Sequence, residues 1–311
     1  MARNFADRLV SAVRARHTPA IVGLDPVVER LPAEFRAADG RVADAAGATE
    51  AFCRAVVDVV ASLVPAVKVN IAFFEPFRGP GIDAYFRVIS YAHSRGLLVI
   101  ADVKRGDIGS TAEKYAEAYL SESRFGDVAP DSVPDAVTLA GYLGRGAVRP
   151  FIDRCVETGR GVFVLVRPSD PGADEVHEFG GGPRFYQHMA GLVNDWGARP
   201  ETIGECGFSC VGAVVAPKDS QSTDALRASM PSAIFLVPGY GAQGATADAC
   251  RHCFLPGGGG AVVNASRSVI YAFEGSGGGD AAGDWRAAVQ KACRRFVAEI
   301  AECAGLAALG K

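Results

Sequence analysis

Short, mainly apolar runs alternate along this chain with longer stretches in which apolar residues recur at helical spacing. The runs fall at 20–24, 66–71, 97–103, 135–139, 161–166, 212–216, 233–237 and 261–264. Runs of that length without polar alternation are characteristic of strands buried on both faces, as in parallel sheets. Helical spacing occupies 50–63, 82–94, 110–122, 148–158, 185–196, 222–228 and 246–250, and a last helix is predicted over 285–303. Eight strand–helix units in succession favour a closed (β/α)8 TIM barrel of the α/β class over an open doubly wound sheet.

The chain of 311 residues is long enough for that barrel as a single domain spanning 1–311. The connections 27–49 and 168–183 are long and polar, and the glycine runs 257–260 and 277–279 read as loop insertions. Neither glycine run is framed by strand and helix as a phosphate-cradling loop requires. No internal repeat and no domain boundary is visible.

Bulk composition narrows the function classes. Hydrophobic residues make up 49% of the chain, enough for a large core, and the net charge of −3 offers no footprint for nucleic acid. No apolar stretch reaches the length of a membrane span. The start, Met1 to Arg8, leads into no signal-like apolar region, so a cytoplasmic protein is expected. The eight cysteines lack metal-ligand spacing, with Cys206/Cys210 and Cys250/Cys253 coming nearest. They are expected to be reduced structural thiols. The five histidines, His17, His93, His177, His188 and His252, lie off the strand ends and are expected on helix surfaces or in solvent.

The candidate chemistry collects where the strands end. The third run leads into Asp102-Val103-Lys104-Arg105-Gly106-Asp107, two carboxylates and two cations within six residues. Charges crowded at a buried strand's C-terminal end are costly unless paired or used. In a parallel barrel that end is the mouth where ligands bind. Lys68 sits inside an apolar run, where a lysine without a task is rare. The other strand ends offer Asp25 beside Pro26 (also a common turn opener), Ser169-Asp170, Pro238 to Gly244 with Gln243, and Asn264-Ala265-Ser266-Arg267. The last two strands of such a barrel are its usual phosphate site, and Arg267 supplies a planar fork suited to phosphate oxygens. Helix-like sequence after Arg267 would place a helix N-terminus there as well.

Together these segments resemble the orotidine 5′-phosphate decarboxylase family, in particular its longer bacterial branch. The resemblance runs from about Asp25 to Arg267 and rests on Gly-Leu-Asp-Pro at 23–26, Lys-Val-Asn at 68–70, Asp-Val-Lys-Arg-Gly-Asp-Ile at 102–108, Pro-Gly-Tyr-Gly-Ala-Gln-Gly at 238–244 and Asn-Ala-Ser-Arg at 264–267. It implies a catalytic network of Lys68, Asp102, Lys104 and Asp107. It further implies Asp25 on the ribose, Ser169 at the pyrimidine amide edge, and Gln243 and Arg267 on the phosphate. In the family the last Asp of the network and the Thr four residues on reach into the neighbouring subunit, which here means Asp107 and Thr111 of a homodimer. The chain departs from the branch in two places: Ala140-Gly141-Tyr142 stands for Asn-Pro-Tyr, and Pro168-Ser169-Asp170 for Thr-Ser-Asn.

The implied reaction is decarboxylation of orotidine 5′-monophosphate to uridine 5′-monophosphate and carbon dioxide, the last step of de novo pyrimidine nucleotide synthesis, with no metal and no cofactor. Two alternatives stand beside it. One is a metal-dependent sugar-phosphate decarboxylase or epimerase of the same barrel superfamily, which places an acidic metal ligand where this chain has Lys68. The other is a silent nucleotide-binding barrel.

Overall fold

Eight parallel strands close on themselves in chain order: β1 (Ala20–Leu24), β2 (Ala66–Asn70), β3 (Leu98–Arg105), β4 (Ala136–Leu139), β5 (Gly161–Arg167), β6 (Val211–Val215), β7 (Phe235–Val237) and β8 (Ala261–Ala265), which pairs back onto β1. The computed structural model describes residues 2–36, 40–126, 128–241, 246–275 and 284–306. Each strand overlaps the apolar run that predicts it, and the (β/α)8 barrel follows. Helix α1 (Phe5–Arg16) precedes β1. Between strands lie α2 (Val42–Val60), α3 (Arg78–Ser94), α4 (Gly109–Leu120), α5 (Arg145–Thr158), α6 (Asp174–His177), α7 (Phe185–Gly197), α8 (Ser220–Ser229) and α9 (Ala247–Arg251). The single turn α10 (Arg267–Ile270) and the long α11 (Trp285–Cys303) follow β8.

The helices form where one stripe can be buried. In α11 Trp285, Val289, Cys293, Phe296 and Ile300 recur every three or four residues and all are buried. Helix α2 begins at Val42, well before the expected 50, because Ala46 and Thr49 extend the buried stripe of Phe52, Cys53, Val56 and Val60. The connection after β1 is correspondingly shorter than expected and is partly taken up by turns at Val28–Arg30 and Ala33–Phe35.

Helix α1, a segment for which no element is predicted, closes the strands' N-terminal end. Asn4 caps it by accepting from Ala6 N at 2.8 Å, and Phe5 meets Phe163 edge-on at 5.8 Å. A Cβ on Gly161 would fall 2.2 Å from the Phe5 ring, so only glycine lets the helix seat. Beside it Asp135 is buried and bracketed by cations. Its carboxylate pairs with Arg8, lies 2.9 Å from His93 Nε2 and accepts from Val99 N at 2.8 Å. The expectation of a solvated or helix-surface His93 is therefore wrong: its ring is largely covered and ties α3 to the start of β4. The partner is 42 residues away in sequence, so no local pattern announces it.

All eight cysteines are free thiols, seven of them buried. Among the described residues no helix is long and apolar enough to cross a membrane, and no three His, Cys, Asp or Glu side chains are placed to share a metal ion. The run 257–260 forms the loop into β8, and 277–279 lies outside the described residues.

Candidate active site

The strands' C-terminal ends surround a cavity of about 560 Å³ that Asp25, Lys68, Asp102, Lys104, Ser169 and Arg267 all line. That volume suits a small-molecule ligand of nucleotide size. A smaller cavity of about 250 Å³ at the opposite end is lined by Leu9, Val13, Phe208, Ile234 and neighbours, with Arg14 and His17 but no carboxylate.

The charged row is carried by strands. Lys68 pairs in register with Ile100 and Asn70 with Asp102, so Lys68 and Asp102 share the inward face two residues apart along the barrel. Lys68 Nζ donates to Asp102 Oδ2 at 2.7 Å and sits 3.8 Å from Asp25 Oδ1; Lys104 Nζ donates to Asp102 Oδ1 at 2.6 Å. The result is a continuous sequence of charges, minus, plus, minus, plus, from Asp25 to Lys104. Asp25 is held from β8's side of the barrel: Tyr271 Oη donates to the Asp25 carbonyl at 3.3 Å and accepts from Val27 N at 2.5 Å. A Cβ on Gly23 would collide with Ser266 Oγ at 2.0 Å, so this glycine admits the β8 exit to the row.

Lys104 stands on an irregularity. Ala101 pairs with Val137 and Arg105 with Leu139, so three residues of β3 oppose Thr138 alone on β4. Lys104 takes the left-handed φ of 44° there. Thr138 Oγ1 accepts from Val103 N and Lys104 N, both at 3.0 Å, and donates to Asp102 Oδ1 at 2.9 Å.

Burial and charge oppose each other across the row. Burial alone would raise the Asp102 pKa, but the Lys68 and Lys104 ammonium groups outweigh it and hold the carboxyl well below the usual range. Burial alone would lower the Lys68 pKa; Asp102 and Asp25 overcome that and raise it. Both groups are therefore charged at neutral pH. Lys104 differs in access: its side chain is 51% exposed while that of Asp102 is 8% exposed. An ammonium fixed at one hydrogen and open on its other side can hold developing negative charge and give up a proton.

The remaining predicted residues divide. Ser169 and Arg267 reach the same cavity from the ends of β5 and β8, with Arg267 opening the single turn α10. Asp170 lies in that wall too. Gln243 lies outside the described residues. Asp107 and Thr111 do not join the cavity of their own chain: Asp107 accepts from Ile108 N at 2.8 Å, and Thr111 is exposed on α4. In the 238–244 segment Tyr240 also lines the cavity, its hydroxyl bound to Glu299 and its ring packed 4.7 Å from Phe296.

Sequence reasoning passed over Thr138, reading β4 as plain apolar filling. The available signal was a lone hydroxyl in Ala136-Val137-Thr138-Leu139 on the strand next to the charged one. It also passed over Arg30, which lines the mouth, stacks 3.9 Å over Tyr271 and pairs with Glu274.

Comparison with known proteins places this geometry. Residues 19–274 match the family described as Orotidine 5′-phosphate decarboxylase / HUMPS. The chain is 41% identical over 274 residues to an orotidine 5′-phosphate decarboxylase of Rhodopirellula baltica, spanning 86% of this chain and 88% of that protein. It is 32% identical over 278 residues to one of Caldicellulosiruptor bescii, spanning 87% and 90%. The solved OMP decarboxylase of Leishmania donovani superposes with a TM-score of 0.68 at 25% identity, over 95% of this chain and 98% of that one.

Proposed function

The chain belongs to the orotidine 5′-phosphate decarboxylase / HUMPS family, and on that premise we propose how its barrel mouth works. The protein is a carboxy-lyase that converts orotidine 5′-monophosphate to uridine 5′-monophosphate and carbon dioxide. The observation that carries the mechanism is the Lys68–Asp102–Lys104 row, joined at 2.7 and 2.6 Å.

Cleaving the bond between C6 and its carboxylate leaves an electron pair in the ring plane, out of reach of the π system. Stabilisation must come from charge already fixed beside C6. Lys104 fills that role. Its ammonium lies against C6, faces the forming carbanion and donates the proton that becomes the C6–H of the product. Water returns a proton to Lys104 after carbon dioxide leaves. Asp102 orients Lys104 and stands near the departing carboxylate, whose repulsion is relieved on cleavage. Lys68 keeps Asp102 ionised and in place. At about 4 Å and an effective dielectric near 20, such pairs interact by roughly 4 kcal/mol, enough to set geometry but not to supply the whole rate.

Asp25 binds the ribose, Ser169 the pyrimidine amide edge, and Arg267 with Gln243 the phosphate. The remote phosphate contacts order the mouth around the reacting ring. Lys68 also weighs against the metal-dependent alternative, because an ammonium between two carboxylates repels a divalent cation. Purified protein should consume orotidylate absorbance in the presence of EDTA. Activity lost to EDTA and restored by magnesium would favour the metal enzyme, and uridylate binding without turnover the silent barrel.

The working unit is a homodimer in the cytoplasm, the whole chain acting as one barrel. Eight free thiols suit a reducing compartment. Asp107 and Thr111, outside their own cavity, flank exposed Ile108 (63%), with Tyr142 (78%) at the next strand exit, an apolar face suited to a second copy. In that dimer Asp107 and Thr111 complete the partner's site. Mixing inactive Lys104→Ala and Asp107→Ala protomers should then recover about a quarter of full activity, because random pairing leaves one intact site in half the dimers. No recovery after verified exchange of subunits would refute the shared site.

A further inference from the structure

We propose that Thr138 is a positioning residue for the decarboxylation, its single hydroxyl fixing both the backbone that presents Lys104 and the carboxylate that orients it. The inference rests on the roles given above to Lys104 and Asp102. Thr138 is 1% exposed at the wall of the cavity, and its hydroxyl is bonded to Asp102, Val103 and Lys104.

A hydroxyl has one hydrogen and two acceptor sites. Asp102, ionised, can only accept, so the Thr138 hydrogen is committed to Asp102 Oδ1 at 2.9 Å. Both acceptor sites are then taken by Val103 N and Lys104 N at 3.0 Å. Those two N–H groups need a side-chain acceptor because three residues of β3 face one of β4, leaving them without ladder partners. The hydroxyl is saturated, and nothing else on β4 stands opposite the irregularity.

The consequence for Lys104 is specific. A non-glycine residue at φ 44° is held there only when its surroundings over-determine it. The hydrogen bond to Lys104 N fixes where the backbone turns, and the bond to Asp102 Oδ1 fixes the oxygen that receives Lys104 Nζ at 2.6 Å. One atom thus sets the base and the tip of the same side chain. Without it Lys104 loses its register toward C6, a misplacement that costs turnover more than binding.

Thr138→Val keeps the shape and removes the hydroxyl. Its kcat should fall about 10- to 100-fold, the worth of a hydrogen bond to a charged group. KM for orotidylate and Kd for uridylate should stay within about threefold, since the Thr138 hydroxyl is committed to protein groups and has no bond left to offer a ligand. Thr138→Ser should restore kcat to within about threefold of wild type. Counting sites by uridylate titration keeps a partly unfolded variant from passing as a slow one, and Thr138→Cys, close in shape and a weaker donor, should fall between Val and Ser. The proposal is overturned if Thr138→Val turns over at the wild-type rate per site, if KM and Kd rise in step with the loss, or if Ser does not rescue. Lys104→Ala is the control for the underlying reading: if it turned over like wild type, the roles of Lys104 and Asp102 would fail, whatever Thr138 does.

Discussion

Asp102 and Asp135 are the same device at opposite ends of one barrel. Each carboxylate is buried, each is bracketed by two cations, and each pKa is depressed, that of Asp135 to about 2. At the closed end Asp135 is spent on the protein itself: Arg8, His93 and Val99 N take its oxygens, and both cations are largely covered. At the mouth Lys68 is buried, whereas Lys104 is half exposed and turned to a cavity. A buried charge pair is therefore no sign of chemistry on its own. On the proposed mechanism, what separates a structural clamp from a reacting centre is one cation left open toward a space that a ligand can enter.

That contrast predicts opposite consequences for losing a cation at each end. Lys104→Ala should lower kcat/KM by at least about 10⁴, combining lost electrostatic stabilisation with a lost proton donor. Its melting temperature should barely move, because the ammonium lies at the open side of the row. A variant that melted far below wild type while keeping turnover would reduce the mouth to another clamp. Arg267→Ala comes next. It removes no reacting group, yet kcat/KM should drop about 10²- to 10³-fold, because contacts to the remote phosphate help assemble the site. Wild-type kinetics in that variant would take the phosphate away from Arg267.

Strands and charged row were readable for one reason: a buried parallel strand shows as an unbroken apolar run, and charges at its end stand out against it. Helix α11 has the predicted bounds of 285–303 because its stripe is strictly periodic. What stayed hidden depends on contacts between distant segments or on backbone shape. The irregularity at Val103–Lys104 leaves no residue-type signature, so Thr138 read as filling. His93 looked like any polar helix residue until the fold brought Asp135 to it. Helix α1 carries Asp7, Arg8, Arg14 and Arg16 among few buried residues, too weak a stripe to read. Asp107 and Thr111 lie outside the cavity of their own barrel, so the fold of one chain adds nothing to what the resemblance implies for them.

The smallest predicted effect tests the closed end. Burial alone would lower the His93 pKa, but its hydrogen bond to the Asp135 carboxylate, that group's charge and the Asp131 carbonyl outweigh burial and raise it. A raised folded-state pKa contributes stability fully present below the unfolded value, near 6.5, and lost as pH climbs through the folded value. Asp135 works in the other direction: its depressed pKa contributes above about 4 and fades as pH falls toward about 2. The clamp is thus whole near pH 6, where Asp135 is ionised and His93 protonated. His93→Gln retains a donor but no charge. At pH 6 it should melt roughly 2–4 °C below wild type, corresponding to about 1 kcal/mol in a chain of this size. Toward pH 9 the gap should shrink, because wild-type His93 gives up its proton as pH climbs through its raised folded-state value. kcat/KM should stay within about twofold at either pH, as the clamp sits at the end of the barrel away from the substrate. A gap that is flat with pH, or wider at pH 9, would mean that His93 holds Asp135 as a neutral ring, and the likeness between the two ends would then stop at geometry.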